Sequence, residues 1–150
     1  MSATRIDIVH EPTRTGKRFG YGIAVVINLV MLLIVLNILE WGWVPFLTDE
    51  FTAVVPWISL SLIVSIVVHL VYQFNDTPVV KSTGQILINL ISVFVTYQVY
   101  LVFPFDFSSY DFNWALLTRI VLIVAMVGAG IGVLAEAVKL TAVGPENERR

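Results

Sequence analysis

Four apolar stretches, the first three of them uncharged, alternate with short polar segments along the chain. The stretches cover residues 19–39, 51–74, 84–103 and 114–140, and most charged residues lie between or outside them. An α-helix rises about 1.5 Å per residue, so roughly 20 apolar residues cross the hydrocarbon core of a bilayer. The pattern predicts an all-α, polytopic membrane protein with four transmembrane helices.

The polar segments at the two ends predict tails on either side of a transmembrane domain. We expect a cytoplasmic N-terminal tail at residues 1–18, the transmembrane domain at 19–140 and a cytoplasmic C-terminal tail at 141–150. The first apolar stretch is longer than the apolar region of a signal peptide, and no Ala-x-Ala site follows it. It is therefore expected to stay in the protein as a helix.

The two halves of the apolar region share a pattern, which predicts two tandem hairpins. Asn28 corresponds to Asn89, Pro45-Phe46 to Pro104-Phe105 and Trp57 to Trp114. The offsets are 89 − 28 = 61, 104 − 45 = 59 and 114 − 57 = 57, so the second copy has the shorter connection. Because each hairpin has two spans, both enter the membrane from the same side. The hairpins therefore have parallel topology, with a pseudo-two-fold axis along the membrane normal.

Composition supports the membrane assignment and excludes the chemistry that depends on cysteine. Apolar residues make up 57% of the chain, mean hydropathy is +0.85, and 13% of residues are charged, against about 25% in soluble domains. Cysteine is absent, which excludes disulfides, thiolate metal sites and cysteine nucleophiles.

The distribution of basic residues predicts which side of the membrane each segment occupies. Cytoplasmic segments carry an excess of Lys and Arg. Of the nine basic residues, only Arg119 falls on the side opposite the termini. We expect a multi-pass plasma-membrane protein of prokaryotic type with both termini cytoplasmic. The other eight basic residues are Arg5, Arg14, Lys17, Arg18, Lys81, Lys139, Arg149 and Arg150.

Amide side chains recur within two of the predicted spans. Asn28 and Asn37 lie nine residues apart in the first span, and Asn89 and Gln98 lie nine apart in the third. One interpretation is a polar lining for a permeation path. The other is hydrogen bonding between helices. Nine residues place the two amides of a span on opposite faces, which favours the second interpretation.

A polar stripe runs along the second predicted span. Ser61, Ser65 and His69 follow each other at four-residue spacing and share one face. Because histidine titrates near neutrality, the stripe is a candidate proton path. A packing seam, in which the small serines let helices approach closely, is the alternative that we favour.

Arg119 and a set of small residues distinguish the fourth predicted span. Arg119 lies five residues inside Trp114, where its side chain can extend to the interface or pair with Asp106, Asp111 or Glu40. Ligand binding is the alternative for Arg119. Gly128 and Gly132 form a GxxxG pair, which is typical of close helix packing. This face is expected to contact another helix, a membrane-protein partner or a second copy of the chain. Glu136 and Lys139 are expected to form an exposed ion pair.

Three short segments carry a family resemblance that covers residues 19–140. The chain resembles a group of small bacterial four-span membrane proteins of unknown function. This resemblance implies a fold and a membrane location, and no activity. The segments are Pro45-Phe46-Leu47-Thr48-Asp49, Val71-Tyr72 and Phe103-Pro104-Phe105-Asp106-Phe107-Ser108.

The sequence favours a non-enzymatic structural or accessory role in the bilayer. It contains no GxSxG, HExxH or P-loop motif, and no cofactor is expected. Nucleic-acid binding is not expected, because the necessary basic patch is lacking. The alternative function is a small transporter or channel subunit with a polar path along Ser61, Ser65 and His69.

Overall fold

The computed structural model describes residues 14–142, which form four long α-helices and no strand. Each helix is long and apolar enough to cross a membrane, so the predicted all-α, four-span architecture is confirmed. The helices are α1 (Arg14–Trp41), α2 (Val55–Phe74), α3 (Pro78–Val102) and α4 (Trp114–Ala142), and a 3₁₀ turn covers Asp49–Ala53. The rest of both predicted tails lies outside the described residues.

Two prolines explain where α2 and α3 begin. The second span was expected from Phe51, but a 3₁₀ turn precedes α2, and Pro56 lies in the first turn of that helix. Proline has no N–H to donate to the residue four before it, so one continuous α-helix cannot include both segments. Pro78 is the first residue of α3, where its missing N–H costs nothing. This helix therefore begins six residues before the expected Gly84.

The helices pack in chain order, each against the next. The α1–α2 and α3–α4 pairs pack most extensively, α2 packs on α3, and α1 makes at most marginal contact with α4. This pairing confirms the two predicted hairpins. Helix α4 has no buried residue, and Leu134 on it is 67% exposed. Apolar side chains directed outward are what a lipid environment requires.

Both connections within the hairpins lie at one end of the molecule, which we call the Phe105 end. The other end, which holds the α2–α3 turn, is called the Lys81 end. A cluster of buried apolar side chains occupies the Phe105 half, with Val35, Phe51 and Val54 at its centre and Val54 completely buried. The surrounding side chains come from α1, α2, α3 and the first connection: Ile38, Leu39, Leu47, Val55, Ile58, Leu62, Val99 and Val102.

A short backbone bridge joins the two connections. Leu47 pairs with Phe105 in antiparallel fashion. The Thr48 N–H donates to the Pro104 carbonyl at 3.0 Å, and the Asp106 N–H donates to the Phe46 carbonyl at 2.8 Å. Pro104 is fully buried at this point. The bridge therefore fixes the two hairpins to each other at the Phe105 end.

Candidate polar cavity at the Lys81 end

An ion pair attaches the α2–α3 turn to α3, and a hydrogen bond attaches the same turn to α1. Asp76 Oδ1 lies 2.5 Å from Lys81 Nζ, and the Tyr21 hydroxyl donates to the same oxygen at 2.8 Å. The Lys81 ammonium also lies 5.5 Å from the centre of the Tyr21 ring, within the range of a cation–π interaction. Helix α1 is thus connected to the start of α3 through this turn.

Three aromatic rings form one wall beside that turn. The Tyr21 ring centre lies 5.5 Å from that of Tyr72 and 6.5 Å from that of His69, and His69 and Tyr72 are 5.6 Å apart. Tyr72 is buried, and its hydroxyl donates to the Lys81 carbonyl at 2.8 Å. The Tyr72 ring fits closely over Gly84, where a Cβ would collide with the Tyr72 hydroxyl.

Glu136 connects α4 to α3 on the opposite wall. The buried Ser82 hydroxyl donates to Glu136 Oε2 at 2.8 Å, and Lys139 Nζ lies 2.5 Å from Oε1. The Glu136 side chain is 16% exposed and that of Lys139 63%. The predicted ion pair is present. The expectation that the pair is exposed is wrong for Glu136, because α3 covers one side of its carboxylate.

These groups surround a cavity of about 620 Å³ at the Lys81 end. All four helices contribute, and the cavity holds charged groups of both signs together with hydroxyl, amide and imidazole groups. Two lysines, one carboxylate and three aromatic rings make it the most varied chemical environment among the described residues. Its main lining residues are Tyr21, His69, Tyr72, Lys81, Ser82, Gln85, Glu136 and Lys139.

The predicted stripe on α2 reaches this cavity only at His69. The His69 Nδ1 lies 2.7 Å from the Ser65 carbonyl and 3.4 Å from the Ser65 hydroxyl. A carbonyl oxygen can only accept, so Nδ1 is the donor in its contact with the Ser65 carbonyl. The Ser61 hydroxyl instead donates to the Ile58 carbonyl at 2.7 Å. Ile58 belongs to the apolar cluster, so the stripe meets apolar side chains beyond Ser61.

The amides of α1 hydrogen-bond to their own helix. Asn28 donates to the Ala24 carbonyl at 2.7 Å, and Asn37 donates to the Leu33 carbonyl at 2.7 Å. Both bonds connect a side chain to the backbone one turn earlier. The predicted hydrogen bonding between helices is therefore not made by these two amides.

The amides of α3 differ from each other. Gln85 donates to Asn89 Oδ1 at 3.2 Å within the helix. The Asn89 amide also faces α4, where a Cβ on Gly132 would lie 2.5 Å from Nδ2. Gln98 is half-buried and makes no hydrogen bond with the described residues. Asn89 thus contributes to helix packing through shape, and it lies one turn below the cavity.

The two glycines of the predicted GxxxG pair have different surroundings. Gly132 faces Asn89 on α3, whereas a Cβ on Gly128 would meet no atom within 4 Å. Gly132 therefore belongs to the internal α3–α4 contact. Gly128 lies on the exposed side of α4.

Arg119 lies at the opposite end from the cavity and contacts aromatic rings. Its guanidinium carbon is 4.4 Å from the Phe103 ring centre and 5.5 Å from that of Tyr100. Within residues 14–142 no carboxylate lies within 4.0 Å of it, so the ion pairs considered from the sequence are not formed there. The Arg119 side chain is exposed, and its extension toward the headgroups stays a prediction.

A second, largely aromatic cavity of about 420 Å³ lies at the Phe105 end. Asp106 borders this region, and its Oδ1 accepts from the Ser108 backbone N–H at 2.9 Å. Hydrogen bonds from Ser108, the backbone N–H first, hold the pKa of Asp106 below its ordinary value. The lining residues of the aromatic cavity are Phe46, Phe105, Phe107, Tyr110, Trp114 and Thr118.

Of the residues that line the polar cavity, sequence reasoning proposed only His69 as a candidate site residue, and Glu136 was expected only in an exposed ion pair. Glu136 carried a usable signal, because it is a carboxylate followed by six more residues of α4, and acidic residues within spans usually face a polar interior. Tyr21 carried none, since its partner Asp76 is 55 residues away.

The four apolar helices and the shared polar cavity define the class of this molecule, a multi-pass α-helical membrane protein. No protein-family model, curated protein or solved structure matches the chain. The resemblance to small bacterial four-span proteins therefore stays a prediction.

Proposed function

We propose that the chain is a non-enzymatic structural or accessory protein of a plasma membrane. The observation that carries this proposal is the unequal distribution of polar and apolar groups along the bundle. Polar and charged groups of all four helices gather at the Lys81 end. The Phe105 half contains the apolar cluster around Val54 and the backbone bridge between the connections. This arrangement favours a closed bundle over a conduit.

The charged groups of the cavity are held in ion pairs, which also favours a structural role. Lys81 pairs with Asp76, and Lys139 pairs with Glu136. Each pair is also linked to another helix by a hydroxyl group: Tyr21 of α1 donates to Asp76, and Ser82 of α3 donates to Glu136. Partners of such a protein would be the bilayer and another membrane protein.

The orientation that we propose places the Lys81 end and both termini in the cytoplasm. Four antiparallel helices bring the start of α1, the α2–α3 turn, the start of α3 and the end of α4 to one end of the molecule. Eight of the nine basic residues belong to these segments or to the tails that continue them in the sequence. Reporters active only in the cytoplasm, fused at Arg150 or inserted at Asp76, should give signal, and one at Asp49 should be silent. An active reporter at Asp49 would reject this orientation.

A transporter or channel subunit is the second candidate, because His69 borders the cavity. Purified protein in liposomes distinguishes the two functions. A structural protein should give no proton or ion flux between about pH 5 and 8, the range in which histidine titrates. A pH-dependent flux that His69→Ala abolishes, while Asn37→Ala leaves it intact, would establish the transporter.

The accessory role has its own test, because a silent liposome assay does not identify a partner. The full chain should co-purify in native nanodiscs with one membrane protein at fixed stoichiometry, and the same protein should be recovered when the chain is expressed at its native level. Recovery of the chain alone, with its lipids only, would reject the accessory role and leave the structural one.

A further inference from the structure

The depth of the polar cavity corresponds to the boundary between headgroups and hydrocarbon. Lys81 is three residues from the start of α3, Lys139 three from the end of α4, and Glu136 six from that end. At about 1.5 Å per residue, these positions lie roughly 4–9 Å inside their helix ends. A cavity at this depth is within reach of the polar part of a phospholipid.

The cavity is open to the side. Tyr21 and Glu136 stand on opposite walls, and the helices that carry them, α1 and α4, make at most marginal contact. The floor is formed by α2 and α3, through residues such as His69 and Ser82. A lipid headgroup can therefore enter between α1 and α4 while its acyl chains stay in the bilayer.

The charged groups in the cavity have hydrogen-bonding capacity that their internal partners do not use. A carboxylate offers about four lone-pair sites, and Glu136 uses two of them, for Ser82 and Lys139. An ammonium offers three donors. Lys139 directs one to Glu136, whereas Lys81 has two partners, Asp76 and the Tyr21 hydroxyl, and keeps a third donor. Both lysines can therefore donate to a further acceptor, and Glu136 can accept from a further donor.

The charge balance of these groups determines the class of ligand. Lys81 and Lys139 contribute two positive charges, and their partners Asp76 and Glu136 contribute two negative charges. A neutral site with separate positive and negative groups suits a zwitterion better than a bare anion. Ser82, next to Lys81 in the chain, donates to Glu136, so the two kinds of group lie side by side.

We propose that the cavity binds a phospholipid headgroup that carries a phosphate and a primary ammonium. Lys81 and Lys139 donate to the phosphate, and Glu136 accepts from the ammonium. Basic pockets between transmembrane helices bind lipid phosphates in the same way. A quaternary ammonium has no N–H to donate to Glu136, so phosphatidylethanolamine is favoured over phosphatidylcholine. The proposal holds for either of the functions considered above.

Binding of short-chain lipids to the purified full-length protein tests this proposal. Dioctanoyl phosphatidylethanolamine, phosphatidylcholine and phosphatidylglycerol are titrated separately and their dissociation constants compared by native mass spectrometry. The ethanolamine lipid should bind about tenfold tighter than the choline lipid, since one charged hydrogen bond accounts for such a ratio. Equal affinities, or tightest binding of phosphatidylglycerol, would overturn the proposal.

Three variants assign the roles of the residues. Glu136→Gln keeps an acceptor for Ser82 and should reduce the ratio between the ethanolamine and choline lipids to about one. Lys139→Met should weaken both lipids about equally, because both carry the phosphate. Glu50→Gln, at the Phe105 end, is the matched control and should change nothing. A ratio that survives Glu136→Gln would overturn the assignment of Glu136.

Soluble glycerophosphoethanolamine distinguishes a membrane lipid from a free metabolite with the same polar groups. If the ligand is a membrane lipid, the soluble compound should bind much more weakly, because it has no acyl chains to contribute to binding. Equal affinities for the soluble compound and the lipid would overturn the proposal that the ligand is a membrane lipid.

Discussion

Gly42 and Phe103 both adopt left-handed backbone conformations, with φ of 60° and 44°, and they are the only described residues with positive φ. Gly42 directly follows α1, and Phe103 directly follows α3. Their separation is 103 − 42 = 61 residues, equal to the separation of Asn28 and Asn89, 89 − 28 = 61. The chain thus leaves the first helix of each hairpin with the same backbone turn at equivalent positions, which supports the duplication.

The turn at Gly42 should be sensitive to any side chain. Gly42→Ala places no atom within 4 Å of the new Cβ, so the cost comes from the backbone alone, about 1–2 kcal/mol. Thermal unfolding in detergent measures it. Gly20→Ala is the matched control, because Gly20 is helical and equally open, and alanine there should be neutral or slightly stabilising. Equal effects of the two changes would contradict the role of the left-handed turn.

The backbone bridge predicts a disulfide between the hairpins. In antiparallel pairs that lack mutual hydrogen bonds, the Cα atoms lie about 4.5 Å apart, which is within the range for a disulfide. The chain has no cysteine of its own, so Leu47→Cys with Phe105→Cys should cross-link without background. Cleavage at a protease site inserted in the α2–α3 turn would then leave the halves joined. Each single variant serves as control, and separation of the oxidised halves would contradict the bridge.

Gly84→Ala should destabilise the protein, because the space beneath the Tyr72 ring is too small for a Cβ. The new Cβ would lie 2.7 Å from Val68 Cγ1 and would collide with the Tyr72 hydroxyl. Such overpacking costs about 1–3 kcal/mol, visible as a lower midpoint of thermal unfolding. Gly128→Ala, at an open position of α4, should leave the midpoint unchanged.

A second substitution locates the cause of the Gly84 effect. Tyr72→Phe removes the hydroxyl that the new Cβ meets, so adding it to Gly84→Ala should cost less than the sum of the two single changes. Additive costs would mean that the collision with Tyr72 is not the source.

Asp106 should make the second connection sensitive to acid. Its pKa is lowered by the Ser108 hydrogen bonds. The stability that the ionised carboxylate gives to this connection is therefore fully present above the ordinary aspartate pKa, and it is lost as pH falls through the lowered value. Hydrogen exchange at the Ser108 amide should accelerate with a midpoint below the ordinary aspartate range, after correction for intrinsic exchange. Asp106→Asn should remove this titration. A midpoint at or above the ordinary value would contradict the assignment.

The sequence predicted the architecture well because the bilayer imposes a length and a polarity on each span. Helix number, hairpin pairing and the ends at Phe74 and Trp114 follow from apolar runs bounded by polar residues. The starts of α2 and α3 were wrong by four and six residues (55 − 51 and 84 − 78). Hydropathy does not register where a proline can begin a helix, as Pro56 and Pro78 do. The superposition of the hairpins by a rotation about the membrane normal stays a prediction.

The site was only partly predictable. His69 was recognised by its residue type, since a titratable group in an apolar run is conspicuous. Its surroundings depend on Tyr21 and Glu136, which belong to helices far away in the chain. Periodicity places residues on the faces of one helix, but it does not determine which faces of two helices meet. Asn28 shows the same limit. Its side chain donates to the backbone of its own helix, but the same sequence pattern is expected for an asparagine that donates to another helix.

The pairing of Leu47 with Phe105 also constrains the order of events during synthesis. The first connection is complete once α2 has been made, but the Phe46 carbonyl and the Thr48 N–H find their partners in residues 104–106. Until α3 has been made, these two groups of the first hairpin therefore lack the partners that they have in the folded protein. A chain interrupted in the α2–α3 turn would insert two helices and leave this site open. Closure of the bridge thus reports that translocation of the third helix has succeeded.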